Sequence, residues 1–159
     1  MRKAHEHIEL VRREMTVLGW REYVGLPDWG IRRLLCKVDT GARTSALDVV
    51  TLEELADNRV RFEVGLSRKR RDKTVAIEAP IVRRTVVRPS SGQRHERLVV
   101  ATQIKLGAIT QRVELTLVCR KAMLCRMLLG RRALAGRFLV DVGHRHLLRS
   151  KSQCIKPKQ

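Results

Sequence analysis

The run Ile31–Val38 ends on Asp39-Thr40-Gly41-Ala42, and this junction constrains the chain more than any other stretch. An extended apolar run closed by Asp-Thr-Gly-Ala puts a carboxylate at the tip of a strand. Beside it stand a small hydroxyl residue and a glycine whose backbone can make a tight turn. Such an arrangement presents an acid for chemistry. The tripeptide alone also suits a simple turn or helix cap, so its weight depends on what else the chain contains.

A second segment lies far downstream. Met127-Leu128-Leu129-Gly130-Arg131 reads as bulky apolar residues followed by Gly-Arg, and residues 132–136 follow as a short helix ended by Gly136. The pairing of Asp-Thr-Gly-Ala with apolar-apolar-Gly-Arg resembles the retropepsin-like aspartic proteases. With Gly19-Trp20-Arg21-Glu22, the block from Val38 to Leu47 and Ala135-Gly136-Arg137-Phe138-Leu139-Val140-Asp141, the chain is similar to the bacterial family labelled ATP-dependent zinc protease. That family's domain often accompanies an ATP-grasp glutamate ligase.

The resemblance implies an all-β, retropepsin-like (acid protease) closed barrel with a flap hairpin and one short C-terminal helix. It implies Asp39 as the catalytic carboxylate, with Thr40 bonding across a two-fold axis, Gly41 bringing its N–H toward the carboxylates and Ala42 keeping the cleft floor small. Leu128, Leu129 and Gly130 are expected to pack behind the Asp39 loop, and Arg131 to tie the short helix to the body by hydrogen bonds.

An aspartic dyad needs two carboxylates that share a proton, because like charges about 3 Å apart resist joint ionisation. The chain carries one Asp-Thr-Gly. A single chain of this length therefore predicts a homodimer with Asp39 contributed by each protomer.

The 159 residues suit a single domain: an N-terminal arm over residues 1–16, a retropepsin-like domain over 17–149 and a basic, disordered tail over 150–159. Ile8, Leu10, Val11, Met15 and Val17 fit a short helix in the arm imperfectly. Strands are expected over 20–26, 31–38, 44–50, 60–64, 74–80, 81–88, 97–105, 113–117 and 138–140. Turns fall at Pro27-Asp28-Trp29-Gly30, Asp57-Asn58 and Leu106-Gly107-Ala108, while residues 51–55 read as a capped helical turn. Residues 68–73 form a basic hairpin tip.

The hairpin around residues 86–98 stands where the flap comes in the resembled fold. Its tip, Arg88, Ser90, Ser91, Gly92 and Arg94, is thereby assigned to substrate by position only. With Arg83, Arg84 and Arg97 it would put positive charge near the cleft and favour acidic substrate.

Thirty-four Lys and Arg oppose 16 Asp and Glu, a formal charge of +18, so acidic partners are attracted. Aromatic residues, at 3%, leave few rings for stacking bases. No apolar run reaches the ~20 residues that span a bilayer, and residues 1–14 lack a secretory apolar segment, so a cytoplasmic protein without membrane partner is expected. Cys36, Cys119, Cys125 and Cys154 show no Cys-x-x-Cys spacing, Cys36 and Cys119 lie in apolar strand-like runs, and all read as buried thiols rather than disulfides or ligands.

Zinc and ATP, both in the family's label, are not expected, and no metal ligand is assigned. The histidines are His5, His7, His95, His144 and His146, without His-Glu-x-x-His. The position after Ser45-Ala46-Leu47, a histidine in the family's pattern, is Asp48 here. No Gly-rich loop with Lys-Ser/Thr is present.

Two functions follow from these residues. One is a dimeric aspartic peptidase acting on peptide or isopeptide amides of acidic or glutamate-tagged proteins. The other is a basic module of the same fold that binds ribosome, RNA or acidic protein without turnover.

Overall fold

The computed structural model describes residues 15–67, 69–70, 72–87, 92, 94–119 and 124–148. Its strands are β1 (Thr16–Gly19), β2 (Arg21–Leu26), β3 (Ile31–Val38), β4 (Ser45–Asp48), β5 (Thr51–Leu55), β6 (Arg59–Gly65) and β7 (Thr74–Pro80). Then come β8 (Arg83–Val87), β9 (His95–Leu106), β10 (Ile109–Val118), β11 (Met127–Leu129), the one-turn helix α1 (Arg131–Leu134) and β12 (Phe138–Asp141). The expected all-β architecture with one short C-terminal helix holds.

The large sheet runs β10-β4-β11-β3-β2-β9-β8, and β9 pairs back onto β10, which closes the barrel. Strand alternation explains the closure. On β2, Glu22, Val24 and Leu26 are buried while Arg21, Tyr23 and Gly25 are not, the period of a strand with one face to a core. Leu34, Cys36, Leu47, Leu115, Met127 and Leu129 fill the same interior.

A second sheet, β5-β6-β7, shares this core. Phe62 of β6 is fully buried and meets the Trp29 ring edge-on, with centroids 5.4 Å apart.

Turn chemistry places the strands. A 3-10 turn at Pro27–Trp29 leads into Gly30 at φ +67°, and Gly107 at φ +58° joins β9 to β10. Asp57 and Asn58 both take positive φ between β5 and β6.

That last turn corrects the helical reading of residues 51–55. The Thr-x-x-Glu pattern mimics a capping box, but the hairpin turn pairs Leu52 with Phe62 and Glu53 with Arg61, so the segment is strand β5. Thr16 and Val17, read as the end of a helical arm, are strand as well, because β1 lies parallel to β12. The strand-like runs over 74–80 and 81–88 go to different sheets: β7 pairs with β6 and β8 with β9. The arm before residue 15, Cys154 and the tail over 150–159 lie outside the described residues, as do Arg88, Ser90 and Ser91 of the flap tip.

Glu22 is the one carboxylate at an inward position of β2, and it is 1% exposed. It accepts hydrogen bonds from the Gly19 N–H (2.7 Å) and the Leu147 N–H (2.8 Å), stapling the chain after β12 to the β1–β2 corner. Trp20 N–H donates to the His144 carbonyl and His146 N–H to that of Arg21. A Cβ on Gly19 would lie 2.5 Å from the His144 oxygen, so this crossing needs glycine.

Burial also pushes the Cys36 thiol up to about 12 and raises that of Cys125, whereas Cys119, expected to be buried, follows the end of β10 and is exposed, its thiol raised as well by partial desolvation. Among the three described cysteines, peptide mapping after alkylation of the native protein is expected to find Cys119 modified first, with Cys36 reacting only on unfolding. Glu22→Ala strands buried N–H groups and is expected to lower unfolding free energy by about 3 kcal/mol in urea titration.

Candidate active site

Asp39 follows the last residue of β3, and its backbone N–H donates to the Leu129 carbonyl at 2.9 Å. Its Oδ1 accepts the N–H groups of Gly41 (3.1 Å) and Ala42 (3.2 Å). The carboxylate is half-buried, held by one oxygen, and no further hydrogen bond reaches it among the described residues.

The downstream segment meets this loop directly. Strand β11 lies between β3 and β4, parallel to β3 and antiparallel to β4, so it separates the strand entering the Asp39 loop from the strand leaving it. Gly130 N–H donates to Ser45 Oγ at 3.1 Å. A Cβ on Gly130 would sit 2.5 Å from the Thr44 carbonyl carbon and oxygen. The guanidinium of Arg131 donates to the carbonyls of Thr40 (3.0 Å) and Gly41 (2.9 Å), and its backbone N–H to that of Ala42 (2.9 Å). Thus Gly130 permits close approach, while Arg131 clamps the loop from behind. Leu129 is fully buried and Leu128 is partly exposed at the loop's flank. Thr40 and Gly41 are exposed.

A cleft of about 280 Å³ opens beside the carboxylate. Asp39 and Ala42 stand at its rim, Ala46, Thr116 and Leu128 form its wall, and Thr85 and Arg97 reach it from β8 and β9. Thr85 and Arg97 are directly paired across those strands, which turns both to one face.

The arginines expected near the cleft therefore divide. Arg83 pairs with Glu114 at 2.8 Å, and Arg84 with Glu96 at 2.8 Å and with Glu54. The Arg84 guanidinium holds the Glu54 carboxyl below its usual range by hydrogen bonding. Arg94 is exposed on the approach to β9, and Gly92 takes φ +80°.

Zinc finds no ligand set among the described residues, where no group of three or more His, Cys, Asp or Glu side chains converges. Asp48, at the family's histidine position, is 2% exposed and pairs with Arg126 at 2.6 Å. Residues 144–146 follow β12 outside any strand, and the two histidines take different partners. His144 bonds Asp141 at 2.8 Å, and His146 stacks on Tyr23 at 4.8 Å. Asp141 is held below the usual carboxyl range, chiefly by the Gly143 N–H and then by His144.

Sequence reading missed the Asp48–Arg126 pair and the role of Ser45, since neither has a local signature. Thr85 was also missed, because its place at the cleft depends on a cross-strand partner. Gly130→Ala, which drives a methyl into the Thr44 backbone, is expected to cost about 3 kcal/mol or more by urea titration. Arg131→Ala is expected to leave the barrel folded while speeding amide exchange at Ala42 on the order of tenfold by NMR.

Comparison with known proteins agrees with this geometry. Residues 17–151 match the RimB-like family, described as retropepsin-like aspartic endopeptidase RimB. Two curated relatives are named "probable alpha-L-glutamate ligase". The one from Desulfotalea psychrophila is 35% identical over 79% of this chain and 28% of its own length, and the one from Parasynechococcus marenigrum 36% identical over 83% and 29%. The chain thus spans under a third of the length of these relatives. A crystal structure of a Legionella pneumophila protein of unknown function superposes with a TM-score of 0.70 at 26% identity, covering 84% of this chain and 98% of that one. The chain belongs to the RimB-like family of retropepsin-like aspartic endopeptidases.

Proposed function

We propose that the protein is a homodimeric aspartic peptidase that hydrolyses amide bonds with Asp39 of each protomer as the dyad. The observation that carries this reading is the Asp39 carboxylate at the rim of the cleft, fixed through one oxygen by the Gly41 and Ala42 N–H groups. Fixing one oxygen orients the carboxylate while leaving the other for water and for its twin.

In such a dyad one carboxylate is ionised and one protonated. The ionised group takes a proton from water as the water oxygen bonds to the amide carbon. The protonated group gives its proton to the carbonyl oxygen, forming a gem-diol. Proton transfer to nitrogen then lets the C–N bond break, and the dyad titrates as a unit. The reaction draws on no metal or nucleotide. Arg131 and Gly130 hold the loop so that two copies can meet in one geometry.

For substrate, the reading is a protein with an acidic or glutamate-tagged segment. The relatives' name speaks of glutamate ligation, and a hydrolase of the resulting amide is the opposing chemistry. Arg97 at the cleft supplies a cation suited to a substrate carboxylate.

A glutamate-tailed peptide is the test substrate. Asp39→Asn is expected to lower turnover by a factor of about 10²–10⁴ or more with the circular dichroism spectrum unchanged. Sedimentation should show a species of twice the 18.3 kDa chain mass. A fully active monomer, or an active Asp39→Asn protein, overturns the reading.

A further inference from the structure

The charges of this protein are segregated. Glu53, Glu54, Glu78, Glu96 and Glu114 are consumed in ion pairs with Arg61, Arg83 and Arg84, around the three-stranded sheet and the β8–β9 hairpin. The outer wall of β2, β3 and residues 101–106 of β9 is different. Alternation turns Arg21, Tyr23 and Gly25 outward on β2, Arg33, Leu35 and Lys37 on β3, and Gln103 and Lys105 on β9. These outward positions hold no carboxylate. Among the described residues, none of Arg21, Arg33, Lys37 and Lys105 has an acidic partner.

The pairing register makes one surface of them. Arg21 lies opposite Lys37, Tyr23 opposite Leu35, and Gly25 opposite Lys105. Gly25 leaves room beside its partner Lys105, whose Cβ lies 3.5 Å from where a Gly25 Cβ would stand.

This wall also holds planar groups. The chain has five aromatic residues; Phe62 and Phe138 are buried and Trp29 packs against the core. The other two are half-buried: Tyr23 on this wall, and Trp20 at the bend that leads into β2, beside Arg21. The Arg33 guanidinium lies 3.6 Å over the Tyr23 ring, which stacks on His146, and that of Arg21 lies 5.0 Å from the Trp20 centroid. At the β9 edge the Asp28 carboxylate is taken up by the Gln103 N–H and the Thr102 hydroxyl, and the cations interleaved with flat π surfaces suit a chain of phosphates carrying bases. An acidic peptide would use the charges but not the planes.

We propose that this wall is a docking surface for single-stranded nucleic acid. Arg21, Lys37 and Lys105 meet phosphates, and the Trp20 ring and the outer plane of the Arg33 guanidinium receive bases. The surface does not include Asp39, although Lys37 is paired with Leu128 of the cleft wall, and it does not depend on the peptidase reading.

The test is fluorescence anisotropy with a labelled single-stranded RNA of about 12 nucleotides, titrated between about 50 and 200 mM salt. Lys37→Glu/Lys105→Glu is compared with Arg59→Glu/Arg70→Glu, an equal change of charge on the β6–β7 side of the molecule. The first pair is expected to weaken binding at least tenfold and to flatten the salt slope by about 1.4, at about 0.7 for each lost phosphate contact. The second pair should stay within twofold of the parent, and Asp39→Asn should bind like it.

Equal losses in both pairs would reduce the effect to diffuse charge and overturn the proposal. So would a duplex of equal length binding as tightly as the single strand. A glutamate-rich peptide that displaces the RNA, binds more tightly and loses affinity with the first pair would assign the wall to an acidic protein instead.

Discussion

The insertion of β11 between β3 and β4 is the arrangement on which the site depends. A loop from residue 39 to 44 that left one strand and entered its neighbour would be an ordinary surface connection. Because β11 lies between those strands, the loop must arch over it, and the arch is filled from below. Ser45 Oγ receives the Gly130 N–H, and the Thr40, Gly41 and Ala42 carbonyls receive donors from Arg131. Backbone carbonyls near a surface normally bond to water and move with it. Here they are bound to a guanidinium and an amide on a neighbouring turn, so the Asp39 carboxylate stands on a rigid support.

Gly130 is as necessary to this as the carboxylate. The segment passes so close to Thr44 that no side chain fits between them, and a wider spacing would take Arg131 out of hydrogen-bond reach. The same device recurs at Gly19, where the chain after β12 crosses the β1–β2 corner and Glu22 takes up its amides. Both crossings join segments about 90 or more residues apart in sequence, and both combine a missing Cβ with a polar group reaching across. The Gly-Trp-Arg-Glu segment therefore includes a structural staple. Its Arg21 belongs to the outer wall that we assign to nucleic acid, and its Trp20 stands beside it.

Charge separates the faces of the barrel. On the β5–β8 side, acids and arginines alternate across neighbouring strands and neutralise one another, whereas the outer wall of β2 and β3 keeps its cations. A net charge of +18 says only that cations predominate. Their placement follows from which residues share a parity on paired strands. The scarcity of aromatic residues, which in composition speaks against base stacking, has a different meaning when one of the five rings lies on a cationic wall and a second stands at its edge.

The sequence by itself determined the strand pattern, most of the turns, and the two segments on which the site is built. These are local properties: period-two alternation on β6 and β10, extended runs over β2 and β3, turn residues at Gly30, Asp57-Asn58 and Gly107, and the Asp-Thr-Gly-Ala and Leu-Leu-Gly-Arg blocks. Only the tertiary structure decided that residues 51–55 are strand, since a hairpin partner outweighed a local capping pattern. It likewise decided that Glu22 is a staple, that Asp48 belongs to Arg126, and that Arg97 rather than Arg83 or Arg84 faces the cleft. Each of these depends on a side chain from a strand distant in sequence, and periodicity says which face a residue takes but not what waits there.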